Sequence, residues 1–197
     1  MSRTRTSTRA LWTAQLTGKA SVKKAAMPQL SVQRKCLFEG IVIGIDPSLR
    51  GTGLACVEFK ANRSVVLHEY TCVKIPPKVD MYACLGQIYG AVQAFMQKYP
   101  TGHVAVEQTI YVQNFQVAQT LGAARGAALA AANLRGWPIF EYAPLRIKQA
   151  VVGFGRASKE QMIKTVGQLF ATQAVLLSDE ADAAAVALCH GFTYAGD

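Results

Sequence analysis

The sequence predicts an α/β domain with strands buried on both faces, and three observations carry that expectation. A short apolar run, Ile41, Val42, Ile43, Gly44 and Ile45, has the β-rich composition of a central strand and stops at Asp46. A second such run, His103 to Val106, stops at Glu107. Between and after them lie segments whose apolar residues recur at helical spacing.

Length and composition set the frame. The chain has 197 residues, 51% of them hydrophobic and 17% charged, enough for one well-buried domain and too few for two. The net charge of +9 is unevenly placed: Arg3, Arg5, Arg9, Lys19, Lys23, Lys24, Arg34 and Lys35 all precede the first acid, Glu39. Residues 39–197 are therefore nearly neutral, and their basic groups would need to share one face to bind a polyanion. The five cysteines, at 36, 56, 72, 84 and 189, are odd in number with no CxxC pair. That spacing argues for free thiols, against a disulfide framework and against a zinc site. No apolar run approaches the roughly 20 residues needed to span a bilayer, so no membrane partner is expected.

Residues 1–38 are rich in Ser, Thr, Arg and Lys without sustained periodicity. They read as a basic, disordered extension ahead of a folded domain over 39–197. Three explanations stand side by side: an organellar transit peptide, which is Arg-rich, Ser-rich and acid-poor; an arm adding non-specific DNA affinity; or translation beginning at Met27.

After the first strand, Pro47 and Ser48 turn the chain, and Gly51, Thr52 and Gly53 let the backbone pass close to another group. Residues 54–59 and 64–73 form strands of a hairpin and meander, broken by Pro76 and Pro77. Met81, Leu85, Ile88, Tyr89, Val92, Phe95 and Met96 mark an amphipathic helix ending near Tyr99. A long helix is expected over 113–134, where small residues suit close packing on the sheet or against a second subunit. A strand over 137–142 and helices over 144–152 and 159–170 follow, the helices separated by the flexible Gly153, Phe154 and Gly155. In the final helix Ser178 is a natural N-cap, and Asp179 and Asp182, three apart, share a face.

An Asp before Pro is also an ordinary turn opener, and acids in a first turn suit the helix dipole, so each acid alone has a structural explanation. Convergence of Asp46, Glu107, Asp179 and Asp182 would change that. Like charges about 4 Å apart repel by about 4 kcal/mol at an effective dielectric near 20, so a cation must sit among them. Oxygen ligands without clustered His or Cys select Mg²⁺ or Mn²⁺. Two such ions suit in-line phosphodiester hydrolysis.

The ordered motifs GIDPSLRGTG, VAVEQ, LGAARG, FEYAPLRIKQAVVGFGRASK and DEADAAAVALCH resemble the RuvC family of Holliday junction resolvases across about Ile41 to His190. The resemblance implies a ribonuclease H-like mixed five-stranded sheet flanked by helices. It implies a structure-selective endonuclease that resolves four-way junction DNA by paired nicks in recombination and repair. Asp46, Glu107, Asp179 and Asp182 would be its catalytic, metal-binding acids, holding two Mg²⁺ per subunit with Mn²⁺ able to substitute. Lys148 and Lys159 would lie near the scissile phosphate, and the helix over 113–134 would help form a homodimer. It also implies a cytoplasmic, nucleoid-associated protein, with a branch-migration helicase complex as a further partner. The family has an aromatic three residues after the glutamate, where it stacks on a base; here that position is Ile110, with Tyr111 beside it as candidate replacement. Arg50 and Arg146 are candidate DNA-backbone contacts, and Arg125 reads equally as structural or functional.

His68, His103 and His190 are expected to be isolated, with His190 serving in packing. Three competing readings remain: a nuclease of the same fold acting on RNA, a junction-binding protein without catalysis, and an ATPase of the actin or sugar-kinase type. The ATPase normally needs a second similar domain, for which the chain lacks length.

Overall fold

The computed structural model describes residues 36–109, 113–170 and 176–196. Five strands, β1 (Gly40–Asp46), β2 (Gly51–Phe59), β3 (Val65–Lys74), β4 (His103–Glu107) and β5 (Ile139–Tyr142), form one mixed sheet in the order β3-β2-β1-β4-β5. The β1–β2 and β2–β3 pairs are antiparallel; β1–β4 and β4–β5 are parallel. Helices α1 (Met81–Met96) and α2 (Phe115–Asn133) cover one face. Helices α3 (Pro144–Val152), α4 (Lys159–Leu169) and α5 (Ser178–Thr193) cover the other.

The pleat sorts the side chains. Ile43 and Ile45 join the core under α1 and α2, whereas Val42 joins the core under α5. Asp46 continues the Val42 face and so points toward α5. Ala105 shares that core, and Glu107 continues its face in the same way. Since β1 and β4 are adjacent and parallel, with Ile45 opposite Val106, the two acids leave neighbouring strand ends on the same side.

Helix α5 lies unusually close to the sheet. A Cβ on Gly44 would stand 1.9 Å from the Ala183 carbonyl oxygen, and one on Gly53 would stand 2.1 Å from that of Asp179. Only a strand without Cβ atoms at these points lets the helix backbone ride directly on it. The helix answers with small residues of its own: Ala181, Ala183, Ala184, Ala185 and Ala187 are all buried.

Several expectations shift in detail. Gly51, Thr52 and Gly53 belong to strand β2 and not to a loop; the turn is made by Pro47 to Arg50. The Thr52 hydroxyl donates to the Ser48 carbonyl at 2.7 Å, and the Ser48 hydroxyl accepts the Gly51 N–H at 2.9 Å. Strand β5 starts at Ile139, because Pro138 has no N–H to give the ladder. Helix α2 starts at Phe115, where the Asn114 side chain accepts the Val117 N–H. Ser178 is the first residue of α5 and not its cap. Leu177 holds the cap position, and its N–H donates to the Glu180 carboxylate at 3.0 Å.

The three histidines also differ from expectation. His68 contacts Glu58 at 2.8 Å. His190 is packed as expected but not isolated: its ring bonds to the Tyr142 hydroxyl at 2.7 Å and to His103 at 3.0 Å. Phe38, Phe140 and Tyr194 surround the pair. Leu37 and Phe38 both donate their N–H to the Gly191 carbonyl, fastening the start of the described chain to the end of α5.

Candidate active site

The site forms where β1 and β4 end beneath the first turn of α5. Asp179 and Asp182 sit in that turn, three residues apart, and the close approach at Gly53 brings the turn down to Asp46. Carboxylate oxygens of Asp46, Asp179 and Asp182 lie within 4.8 Å of one another. Glu107 flanks this trio. It shares one cleft with Asp46, Gln108 and Arg125, and a second with Lys148, Lys159 and Asp182. The four acids singled out in the sequence thus stand at one end of the sheet, three forming a tight set and Glu107 beside them.

Electrostatics follows from the crowding. Burial, then the neighbouring charges of Asp182, Glu107 and Asp179, push the Asp46 carboxyl up to about 7, and Lys159 opposes them. Glu107 is raised by burial and by Asp182, against the pull of Lys148 and Lys159. The Lys159 ammonium lies 3.1 Å from Asp182 Oδ2, and that hydrogen bond raises its pKa despite partial burial. Each pair of full charges at such separations would cost about 3 kcal/mol at an effective dielectric near 20. Three such pairs rival the stability of a whole domain, so the donor set suits a cation. Being all oxygen, it suits a hard divalent ion and not zinc.

The lysines are placed by local structure. The Ser158 hydroxyl accepts the Gln161 N–H while the Gln161 side chain accepts the Ser158 N–H, a reciprocal cap that fixes Lys159 at the start of α4. Lys148 projects from α3 into the cleft holding Glu107.

The arginines are not all alike. Arg50 donates to the Pro76 carbonyl at 2.7 Å and the Val79 carbonyl at 2.9 Å, bracing the β1–β2 turn against the segment before α1. Arg146 lies over the Tyr142 ring and reaches the Thr193 carbonyl at the far end of α5. Both guanidiniums are engaged within the chain. Arg125 is bound to Glu107 and Glu141 and lines the cleft beside Asp46. Ile110 and Tyr111 lie outside the described residues.

One neighbour escaped the sequence reading. Cys72 on β3 stands opposite Gly53, and its thiol donates to Asp179 Oδ2 at 3.5 Å. Contact with the acid and burial both hold this thiol protonated, with its pKa pushed up to about 11, burial being the larger cause. Only the strand register could have revealed it.

Comparison with known proteins places the chain in a family. The family described as Crossover junction endodeoxyribonuclease RuvC matches residues 42–190. A protein of that name from Pelotomaculum thermopropionicum is 39% identical over 155 residues, covering 78% of this chain and 94% of the relative. One from Burkholderia thailandensis is 37% identical over 149 residues, covering 76% and 82%. Among solved structures, the chain is similar to T. thermophilus RuvC in complex with Holliday junction substrate. The TM-score is 0.74 and the identity 32%, with 80% of this chain and 96% of that one covered.

Proposed function

This chain belongs to the RuvC family of crossover junction endodeoxyribonucleases, and from that premise we propose that Asp46, Glu107, Asp179 and Asp182 are its catalytic acids. The activity is that of a junction-resolving endonuclease. The observation that carries the residue assignment is the convergence of three carboxylates within 4.8 Å at the strand ends, with Glu107 alongside.

The acids would hold Mg²⁺, two ions per subunit, with Mn²⁺ as a substitute. When bound, such ions activate water and neutralise charge building on the scissile phosphate. The chain's own residues do the rest. Asp46 and Glu107, anchored on adjacent strands, give the ligand set a rigid floor. Asp179 and Asp182, carried by α5, close it from above. Lys148 and Lys159 face the same cleft as Glu107 and Asp182, and the Lys159 ammonium can move from the Asp182 carboxylate to a phosphate oxygen, with Lys148 beside it. Gly53 fits the site as a point of close backbone approach, and Gly51 leaves room for the Asp179 carboxylate, so neither is read as a phosphate cradle.

The substrate is four-way junction DNA, the substrate named for the T. thermophilus relative. A homodimer would carry two sites on opposed strands about a two-fold axis. Helix α2 suits that role: Phe115 is 72% exposed, and a Cβ on Gly122 or Gly126 would meet only open space. Residues 39–197 constitute the nuclease domain, and residues 1–38 a basic extension. The protein would work in the cytoplasm on chromosomal DNA, alongside a branch-migration helicase complex.

Asp46→Asn tests the assignment. It removes one anionic ligand with little change of shape, so nicking of a junction should fall by at least about 100-fold while junction binding stays close to wild type. Full nicking by this variant would overturn the metal assignment.

A further inference from the structure

The carbonyl of Glu107 is held in an unusual way. Strand β4 pairs with β5 through Glu107 opposite Tyr142, and the Gln108 N–H donates to the Tyr142 carbonyl at 2.9 Å. On its other side the ladder to β1 stops one residue earlier, at Ile45 opposite Val106. Since the Gln108 N–H points toward β5, the Glu107 carbonyl of the same peptide points toward β1, beyond the last pair. A strand end with an unmatched carbonyl should fray. Here Arg125 Nη1, arriving from α2 on the opposite face, donates to that carbonyl at 2.5 Å. Its Nη2 pairs with Glu141 Oε1 on β5 at 2.7 Å. The Arg125 side chain is 15% exposed, and it is the only charged residue within α2. The Glu107 carboxylate, by contrast, is influenced by burial and by the charges of Asp182, Lys148 and Lys159, with no hydrogen bond holding it among the described residues. Its reach toward the aspartates is therefore set by where its backbone stands.

We propose that Arg125 is a positioning residue for the reaction: by completing the end of β4 it fixes the backbone of Glu107 at the distance from which its carboxylate can join Asp46, Asp179 and Asp182 around a divalent cation. The inference rests on the reading of Glu107 as a ligand. Glu141 orients the guanidinium, and the bond to the Glu107 carbonyl is the part that acts on the site. Because Arg125 stands on α2, it also ties the helix carrying the proposed subunit face to the catalytic strand.

The test compares Arg125→Met, Arg125→Gln, Arg125→Lys, Glu141→Gln and Glu107→Gln in the full chain. Three readouts are taken well below each variant's melting temperature: binding of Mn²⁺ by loss of the free-ion EPR signal, junction affinity without metal, and kcat on a synthetic junction. Outer contacts to ligating carboxylates are worth about 10–100-fold in affinity or activity. Arg125→Met should therefore weaken Mn²⁺ binding and lower kcat by about tenfold or more, with junction affinity within about twofold of wild type. Arg125→Gln carries the same expectation should the methionine variant fail to fold. Arg125→Lys, keeping the charge and one direct donor, should recover part of both losses, and Glu141→Gln should cost less than about threefold. Wild-type Mn²⁺ affinity and kcat in folded Arg125→Met or Arg125→Gln would overturn the proposal, as would an equal loss in Glu141→Gln. Glu107→Gln separates the two readings: full activity there refutes the ligand assignment, whereas an inactive Glu107→Gln beside a normal Arg125 variant refutes the positioning role alone.

Discussion

Adding a single methyl group at Gly53 tests how α5 delivers its acids. The Cβ of Gly53→Ala would fall 2.1 Å from the Asp179 carbonyl oxygen and 3.3 Å from the Ala183 Cβ. A tolerable carbon–oxygen contact is about 3.2 Å, so the first turn of α5 must lift by about 1 Å. Both obstacles belong to the helix, so no flexible side chain can yield instead. Overpacking of this kind costs about 1–3 kcal/mol, and for a chain of this size 2 kcal/mol lowers the melting temperature by about 4–8 °C. The larger consequence is catalytic. Misplacing reacting groups by about 1 Å costs on the order of 100-fold in rate, and the displaced residue is itself a proposed ligand. The assay is single-turnover nicking of a saturating junction well below the melting temperature, paired with calorimetry. Gly167→Ala serves as the control, because its Cβ would meet nothing within 4 Å on helix α4; it should gain up to about 1 kcal/mol and keep full activity. A Gly53→Ala protein with wild-type melting and wild-type nicking would refute the account of how α5 is seated.

Two further outcomes are expected. His190 is buried and bonded neutral between Tyr142 and His103, and burial, then the His103 charge, depress its pKa to about 3. An unfolded His titrates near 6.5, so below that pH the unfolded state takes up a proton that the native state refuses, and stability falls as pH falls toward 3. At about 1.36 kcal/mol per unit, the loss at pH 5 is about 2 kcal/mol, measurable by denaturant unfolding. His190→Gln should flatten that part of the profile, and an unchanged slope would contradict the burial argument. Arg50→Ala should lower stability by about 1–3 kcal/mol through its lost carbonyl bonds, while leaving junction affinity within about twofold; a large affinity loss without destabilisation would restore Arg50 as a DNA contact.

Much of this was legible because the decisive signals were local. An apolar strand that stops at a carboxylate declares itself within five or six residues, and it does so at both Asp46 and Glu107. The three-residue spacing of Asp179 and Asp182 fixes their common face once a helix is granted. What the sequence concealed depended on register and long-range packing. Nothing local says that Cys72 stands opposite Gly53, or that Gly44 of β1 and Gly53 of β2 admit the backbone of α5. His103 and His190 looked isolated because 87 residues separate them along the chain. Arg50 looked free because the carbonyls it holds belong to the Pro76 to Val79 turn, whose path no periodicity reveals. Arg125 did give a signal, a lone cation in a helix of small residues, but its partners could be named only from the ends of β4 and β5.

In the reading proposed above, four carboxylates use a divalent cation to cut a four-way junction. The most direct measurement incubates the protein with a synthetic junction, matched duplex and RNA of the same sequence, with Mg²⁺ and with EDTA. Paired nicks in opposed strands of the junction are expected, dependent on Mg²⁺, with duplex and RNA left intact. Cleavage that persists in EDTA, or that proceeds equally on all three substrates, would contradict that reading.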